Sequence, residues 1–259
     1  MFDIFVHIDT WVALLTLTFL EIVLGIDNII FISISAGKLP KNQVKKATNI
    51  GLMFAMVFRI LLLLGVSQLI EMKEPLFLIE LSWFTAAISG QSLILLGGGI
   101  FLLYKSTHEI HQKVEGSQQE QPENNKIRST LSGVVFQIVL IDIIFSFDSV
   151  LTAVGMTNGL EGALTIMIIA VVLSIFIMMT FAIRVGNFVN NHPTIQMLAL
   201  SFLILIGFML VTESAHLSNA VIFNQKVGSI PKGYLYFAIA FSLGVEALNM
   251  KVRKGSKAS

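Results

Sequence analysis

No cysteine occurs in the 259-residue chain, which excludes a disulfide framework, a thiolate metal centre and thiol redox chemistry. Any metal must be held by oxygen or imidazole. Charge is scarce as well: Asp, Glu, Lys and Arg make up 13% of the residues against 55% hydrophobic, and mean hydropathy is +0.82. A soluble domain carries roughly twice that charged share, so the composition is that of an integral membrane protein. The net charge of +1 gives no support for nucleic-acid binding. The absence of a GxxxxGK[ST] motif leaves direct ATP coupling unsupported. The first ten residues, MFDIFVHIDT, hold two aspartates and no Lys or Arg. They lack the basic region of a cleavable signal peptide, so the first apolar stretch is expected to stay as a helix.

What is present is a series of seven apolar stretches, at about 11–36, 47–70, 76–104, 131–156, 161–183, 196–212 and 233–250. Each is long enough, or nearly so, to cross about 30 Å of hydrocarbon at about 1.5 Å per residue. The expected fold is an all-α polytopic membrane protein of about seven transmembrane helices, with the lipid bilayer as its solvent. Polar clusters separate the stretches, and the Gln/Glu/Asn/Lys-rich segment at 111–130 is the one real linker, too polar to bury a core. Cytoplasmic loops carry an excess of Lys and Arg. With the N-terminus outside, the inner segments hold thirteen such residues: Lys38, Lys41, Lys45, Lys46, Lys105, Lys113, Lys126, Arg128, Arg184, Lys251, Arg253, Lys254 and Lys257. The outer ones hold three, Lys73, Lys226 and Lys232, and Arg59 lies mid-helix. This bias predicts an N-out, C-in arrangement.

Two stretches carry acids inside these spans: EIVLGIDN, residues 21–28, and DIIFSFDS, residues 142–149. Aligned at an offset of 121, Glu21 meets Asp142, Gly25 meets Ser146, Asp27 meets Asp148 and Asn28 meets Ser149. Looser echoes follow, with Arg59 and Arg184 in the second helix of each half and LILLG at 93–97 against LILIG at 203–207. Three spans per repeat is an odd number, so the second repeat enters the membrane from the opposite side, as in transporters built from inverted repeats. The expected organisation is a three-helix repeat over 1–110, a cytoplasmic linker over 111–130, and a second three-helix repeat over 131–215. An outer loop, a seventh helix and a basic tail fill 216–259.

A charge at the bilayer centre costs about 3 kcal/mol even on lenient scales, so the acids must face one another, a cation or water. On an unbroken helix at about 100° per residue, Glu21 shares a face with Asn28 and Asp142 with Ser149, while Asp27 and Asp148 are turned away. A break near Gly25 and Ser146 would re-aim the aspartates and free backbone carbonyls as further ligands. The favoured reading is a hard divalent cation in an oxygen cage, with protons as a possible coupling ion because four carboxylates exceed the charge of one metal. Two blander readings stand beside it: buried ion pairs with Arg59 and Arg184 that only fix helix packing, and a proton relay without metal. Arg59 is a counter-ion for the cluster or an ordinary interhelical partner, and Arg184 is placed to snorkel. Glu246 is an end-of-helix acid or a pathway residue. Glu80, Glu213 and His216 read as solvated groups near the outer surface, and GGG at 97–99 as close helix packing. No nucleophile–base–orienter constellation is visible, so no enzyme is expected.

The segments FLEIVLGIDNIIFISI, DIIFSFDSVLTAVGM and IPKGYLYFAIAFSLGVEALN resemble those of the TerC family of bacterial membrane proteins over nearly the whole chain. The resemblance implies a multi-pass protein of the cytoplasmic (inner) membrane, in a family with members named for tellurite resistance and others linked to manganese export and to supplying metal to exported enzymes. It places the family's acidic positions on Glu21, Asp27, Asn28, Asp142, Asp148 and Ser149. It favours Mn²⁺ over Ca²⁺ or Mg²⁺, which oxygen ligation alone does not separate. Oligomers or exported metalloenzyme clients are the partners it suggests. Some relatives add soluble C-terminal regulatory domains; with the chain ending at Ser259 after a short basic tail, none is expected. The leading expectation is a manganese exporter working by cation/proton exchange and alternating access. The alternative is a non-transporting assembly or tellurite-resistance component with a structural metal.

Overall fold

The computed structural model describes residues 3–115, 130–157 and 159–256, except for some side chains within helices, among them those of Asp27 and Asp148. Among the described residues a short 3-10 turn, Asp3–Val6, leads into eight α-helices: α1 Ile8–Ala36, α2 Lys41–Leu64, α3 Val66–Glu71, α4 Gly90–Glu115, α5 Leu131–Thr157, α6 Ala163–Asn191, α7 Pro193–Leu217 and α8 Lys232–Ser256. The protein is a polytopic all-α membrane protein. Among the described residues five helices (α2, α5, α6, α7 and α8) are long and apolar enough to span, and six if bent α1 is one span. Their outward faces carry Phe54, Leu61, Phe176, Phe181, Phe237 and Phe241, as helices in lipid do.

The third apolar stretch departs from expectation. Residues 76–104 were expected to form one helix, but β1 Pro75–Glu80 and β2 Phe84–Ser89 form an antiparallel hairpin before α4 begins at Gly90. Phe, Thr and Ile suit a pleated surface better than a helix, and in β2 Ala86 and Ser89 are buried while Thr85 is exposed. The sheet is completed by β3 Val221–Ile222 and β4 Gln225–Lys226 in the order β1-β2-β3-β4. Helix α4 also runs past residue 111 to Glu115, where Lys105–Glu109 at 3.1 Å and His111–Glu115 at 3.2 Å brace successive turns.

The chain folds as two compact units that do not follow chain order: residues 1–72 with 124–190, and residues 73–123 with 191–259. The first unit therefore collects α1, α2, α3, α5 and α6. Helices α1 and α5 run antiparallel. Asp9 lines one cavity with Thr157, Leu17 lines another with Val150, and Asn28 hydrogen-bonds Asp142. Helix α2 meets α5, and α6 meets α1, at a glycine. A Cβ on Gly51 of α2 would lie 2.7 Å from Ile138 of α5, and one on Gly186 of α6 would lie 2.8 Å from Ser33 Oγ of α1.

In the second unit α4 and α7 are antiparallel. Lys113 hydrogen-bonds Gln196 at one end, and Ser214 Oγ donates to the Ser92 carbonyl at 2.6 Å toward the other. Between these, a Cβ on Gly99 would come within 2.8 Å of the Gly207 carbonyl, and one on Gly207 within 3.0 Å of the Gly99 carbonyl. The close packing expected of GGG thus falls on Gly99, against the glycine that ends LILIG. Because both obstructions are backbone, Gly207→Leu should destabilise by about 1–3 kcal/mol or more. A lowered melting temperature of the detergent-solubilised protein checks this.

Candidate functional site

Glu21 sits on α1, Arg59 on α2 and Asp142 on α5, each about 2% exposed. Apolar turns flank all three, so their charge has only protein to face. Arg59 bridges the two acids: Nη1 pairs with Glu21 Oε2, Nη2 with Asp142 Oδ1 at 2.6 Å, and Nε donates to Asp142 Oδ2 at 3.0 Å. The contact with Asp142 is the two-pronged guanidinium–carboxylate geometry, stronger and more directional than a point contact.

Asp142 takes two more donors. Asn28 Nδ2 reaches Oδ1 at 3.0 Å from α1, and Ser146 Oγ reaches Oδ2 at 3.0 Å from one turn along α5. A carboxylate has about four acceptor sites, so Asp142 is saturated while Arg59 is in place. Asn28 is itself 2% exposed, yet its Oδ1 has no hydrogen-bond partner among the described residues. A buried carbonyl oxygen left without a donor costs about 1–3 kcal/mol and is a ready cation ligand.

The predicted site residues fall into three groups. Glu21, Asn28 and Asp142 come together, with Arg59 between the acids. Ser149 is buried near them, but its Oγ donates to the Ser146 carbonyl at 3.3 Å. Asp27 and Asp148 lie outside the described residues as far as their side chains are concerned. Arg184 is exposed on α6. Glu246, on α8 in the other unit, is half-buried, accepts from Asn249 Nδ2 at 3.4 Å with Oε2, and has Thr194 of α7 as a further side-chain partner. Among the described residues no three Asp, Glu or His side chains form a metal-holding cluster.

Helix α1 bends by 40° between Ile8–Val23 and Asn28–Ala36, the interval that holds Gly25. The Met178 side chain of α6 packs where a Cβ of Gly25 would stand, and an inserted side chain at a glycine is a standard cause of a kink. The bend turns Asn28 relative to Glu21, and α5 passes Ser146 as one span. Two features escaped the sequence reading. Ser146, which the alignment sets opposite Gly25, is a hydrogen-bond donor to Asp142. The link from Asn28 to Asp142 joins the two motifs directly, and only their alignment hinted at it.

The family model described as "Integral membrane protein TerC family" matches residues 6–258. The chain is 42% identical over 254 residues to a "UPF0053 protein" of Haemophilus influenzae, covering 98% of this chain and 99% of that one. It is 47% identical over 242 residues to the "UPF0053 inner membrane protein YgdQ" of Escherichia coli K12, covering 93% of each. It is 45% identical over 239 residues to "UPF0053 protein YegH" of the same strain, covering 92% of this chain but 42% of that longer protein. No solved structure matches.

Proposed function

The chain belongs to the TerC family of integral membrane proteins, and from that premise we propose that it carries a divalent cation, most simply Mn²⁺, across the cytoplasmic membrane. The observation that supports this best is the pair of buried carboxylates from the two repeat motifs, Glu21 and Asp142, clamped by one arginine. With Arg59 engaged the trio carries a single net negative charge. With Arg59 withdrawn the pair carries two, the charge that a divalent cation returns, and Asn28 Oδ1 is already free to join them.

Arg59 acts in this reading as a tethered cation. It neutralises the acids when no metal is bound, because desolvated like charges would otherwise take up protons, and it must leave Asp142 before metal enters, since no acceptor site remains. Arginine swing and proton uptake are alternative ways to balance charge, so cation movement one way and proton return the other is the coupling we propose. The N-terminus is placed outside on the Lys/Arg bias, and export is the direction that the family resemblance suggests. The antiparallel α1 and α5, each bearing one motif, suit alternating access by inverted repeats. No enzymatic step is part of this function.

The Glu21–Arg59–Asp142 bridge also favours a second reading, a helix lock in a non-transporting assembly component. Mn²⁺ binding separates the cation site from a metal-free lock, and Mn²⁺ flux in sealed vesicles separates a carrier from a component with a structural metal. Free Mn²⁺ has a six-line paramagnetic resonance spectrum that is lost on binding. Titration of purified protein should deplete that signal, and Glu21→Gln should weaken binding about tenfold or more, as loss of a charged partner does. A spectrum unchanged by protein would leave the lock.

A further inference from the structure

One face of α1 carries Asp9, Ala13, Thr16, Leu17 and Glu21, at intervals of three or four residues or their sums, so the five form a stripe. Two cavities lie along it. The first, about 240 Å³, is lined by Asp9, Ala13, Thr16 and Leu17 of the stripe, by the neighbouring Val12, and by Met156 and Thr157 of α5, and it is open. The second, about 10 Å³, is lined by Leu17, Glu21, Leu63, Val150 and apolar residues of α5 and α6. Leu17 is the residue common to both, and it is 1% exposed. The second cavity holds no more than about one water molecule, and Glu21 is its only ionisable lining group.

We propose that this stripe is the access route between the buried carboxylates and the compartment at the N-terminal end of α1, with Leu17 as its apolar gate. The chemistry changes in order along the route. Asp9 offers a negative mouth in the first turn of α1, Thr16 and Thr157 line the vestibule, the Thr157 hydroxyl already donating to the Ala153 carbonyl at 2.9 Å, and Leu17 closes it. Beyond lies a small chamber whose one ionisable lining group is Glu21. An apolar constriction between two polar regions blocks ions by excluding water and opens with a small side-chain displacement. Rotation of Leu17 would join the cavities and hydrate Glu21 without breaking a hydrogen bond. The route rests on the reading of Glu21 as a cation-handling group.

The absence of native cysteine allows single cysteines to be introduced and probed with a permanently charged, membrane-impermeant reagent, trimethylammonium-ethyl methanethiosulfonate. In intact cells expressing the full chain, Ala13→Cys and Thr16→Cys should react readily. Leu15→Cys, on the exposed apolar face, should not, and Val150→Cys, beyond the gate, should react slowly. Adding Leu17→Ala should raise the Val150→Cys rate about tenfold or more. Equal rates at positions 13, 15 and 16 would overturn the vestibule, and a Val150→Cys rate indifferent to Leu17→Ala would overturn the gate. Labelling needs no transport, so a chain that moves no Mn²⁺ but gives the expected pattern refutes the cargo and keeps the route. A chain that moves Mn²⁺ with the pattern absent does the reverse.

Discussion

Arg59→Ala is expected to destabilise the protein by about 3–5 kcal/mol, the cost of breaking a buried ion pair from one side. The reason is local. Arg59 supplies three of the five hydrogen bonds described for Glu21 and Asp142, and truncation strands two carboxylates about 2% exposed without a counter-charge. Relief comes from removing the acids as well. Arg59→Met combined with Glu21→Gln and Asp142→Asn should recover most of the loss, because replacing a whole buried charge cluster is often nearly neutral. Reversible unfolding in mixed micelles measures both. If Arg59→Ala cost under about 1 kcal/mol, in the range of exposed pairs, the guanidinium would not be the counter-ion described here.

Asp142→Asn is expected to keep the fold and lose the function. Asparagine has the same shape, and its oxygen at the Oδ1 position still accepts from Arg59 Nη2 and Asn28, so α1, α2 and α5 stay linked, although the amide nitrogen in place of Oδ2 can accept nothing from Arg59 Nε. It lacks the second negative charge, and the charge-assisted interactions it forfeits are worth about 1.5–3 kcal/mol each. Mn²⁺ affinity should fall about ten- to a hundredfold on that account. The loss should be larger than for Ser149→Ala, since Ser149 donates to a backbone carbonyl and not to either acid.

Much of this was legible in the sequence. Long apolar runs marked α1, α2 and α5 to α8 because a lipid-facing helix has no polar face to confuse the count, and two acid motifs at a fixed offset marked the site because charge in hydrocarbon needs a partner. The hairpin at 75–89 was not legible as such. Its residues are as apolar as the helix that follows, and only the modest Phe, Thr and Ile content distinguished strand from span. The pairing of α4 with α7 across Gly99 and Gly207 was hinted at by LILLG and LILIG, but nothing in one chain said that these segments touch. Arg59 was open between counter-ion and packing partner, since a mid-helix arginine has several helices in reach. Its geometry is set by tertiary packing: the guanidinium meets both acids because α2 lies against α5 at Gly51, where any side chain would push the helices apart.

The gate at Leu17 shows the same limit. Nothing about a leucine in a leucine-rich helix singles it out, and its role comes from the empty space on either side of it.

The central claim, that Glu21 and Asp142 form a divalent-cation site coupled to protons, is tested most directly by reconstituting the purified protein in sealed vesicles with a pH-sensitive dye inside. The account predicts proton movement that depends on added Mn²⁺, and its loss in Asp142→Asn. Vesicles in which Mn²⁺ drives no proton movement, or in which Asp142→Asn behaves as the native chain does, would contradict it.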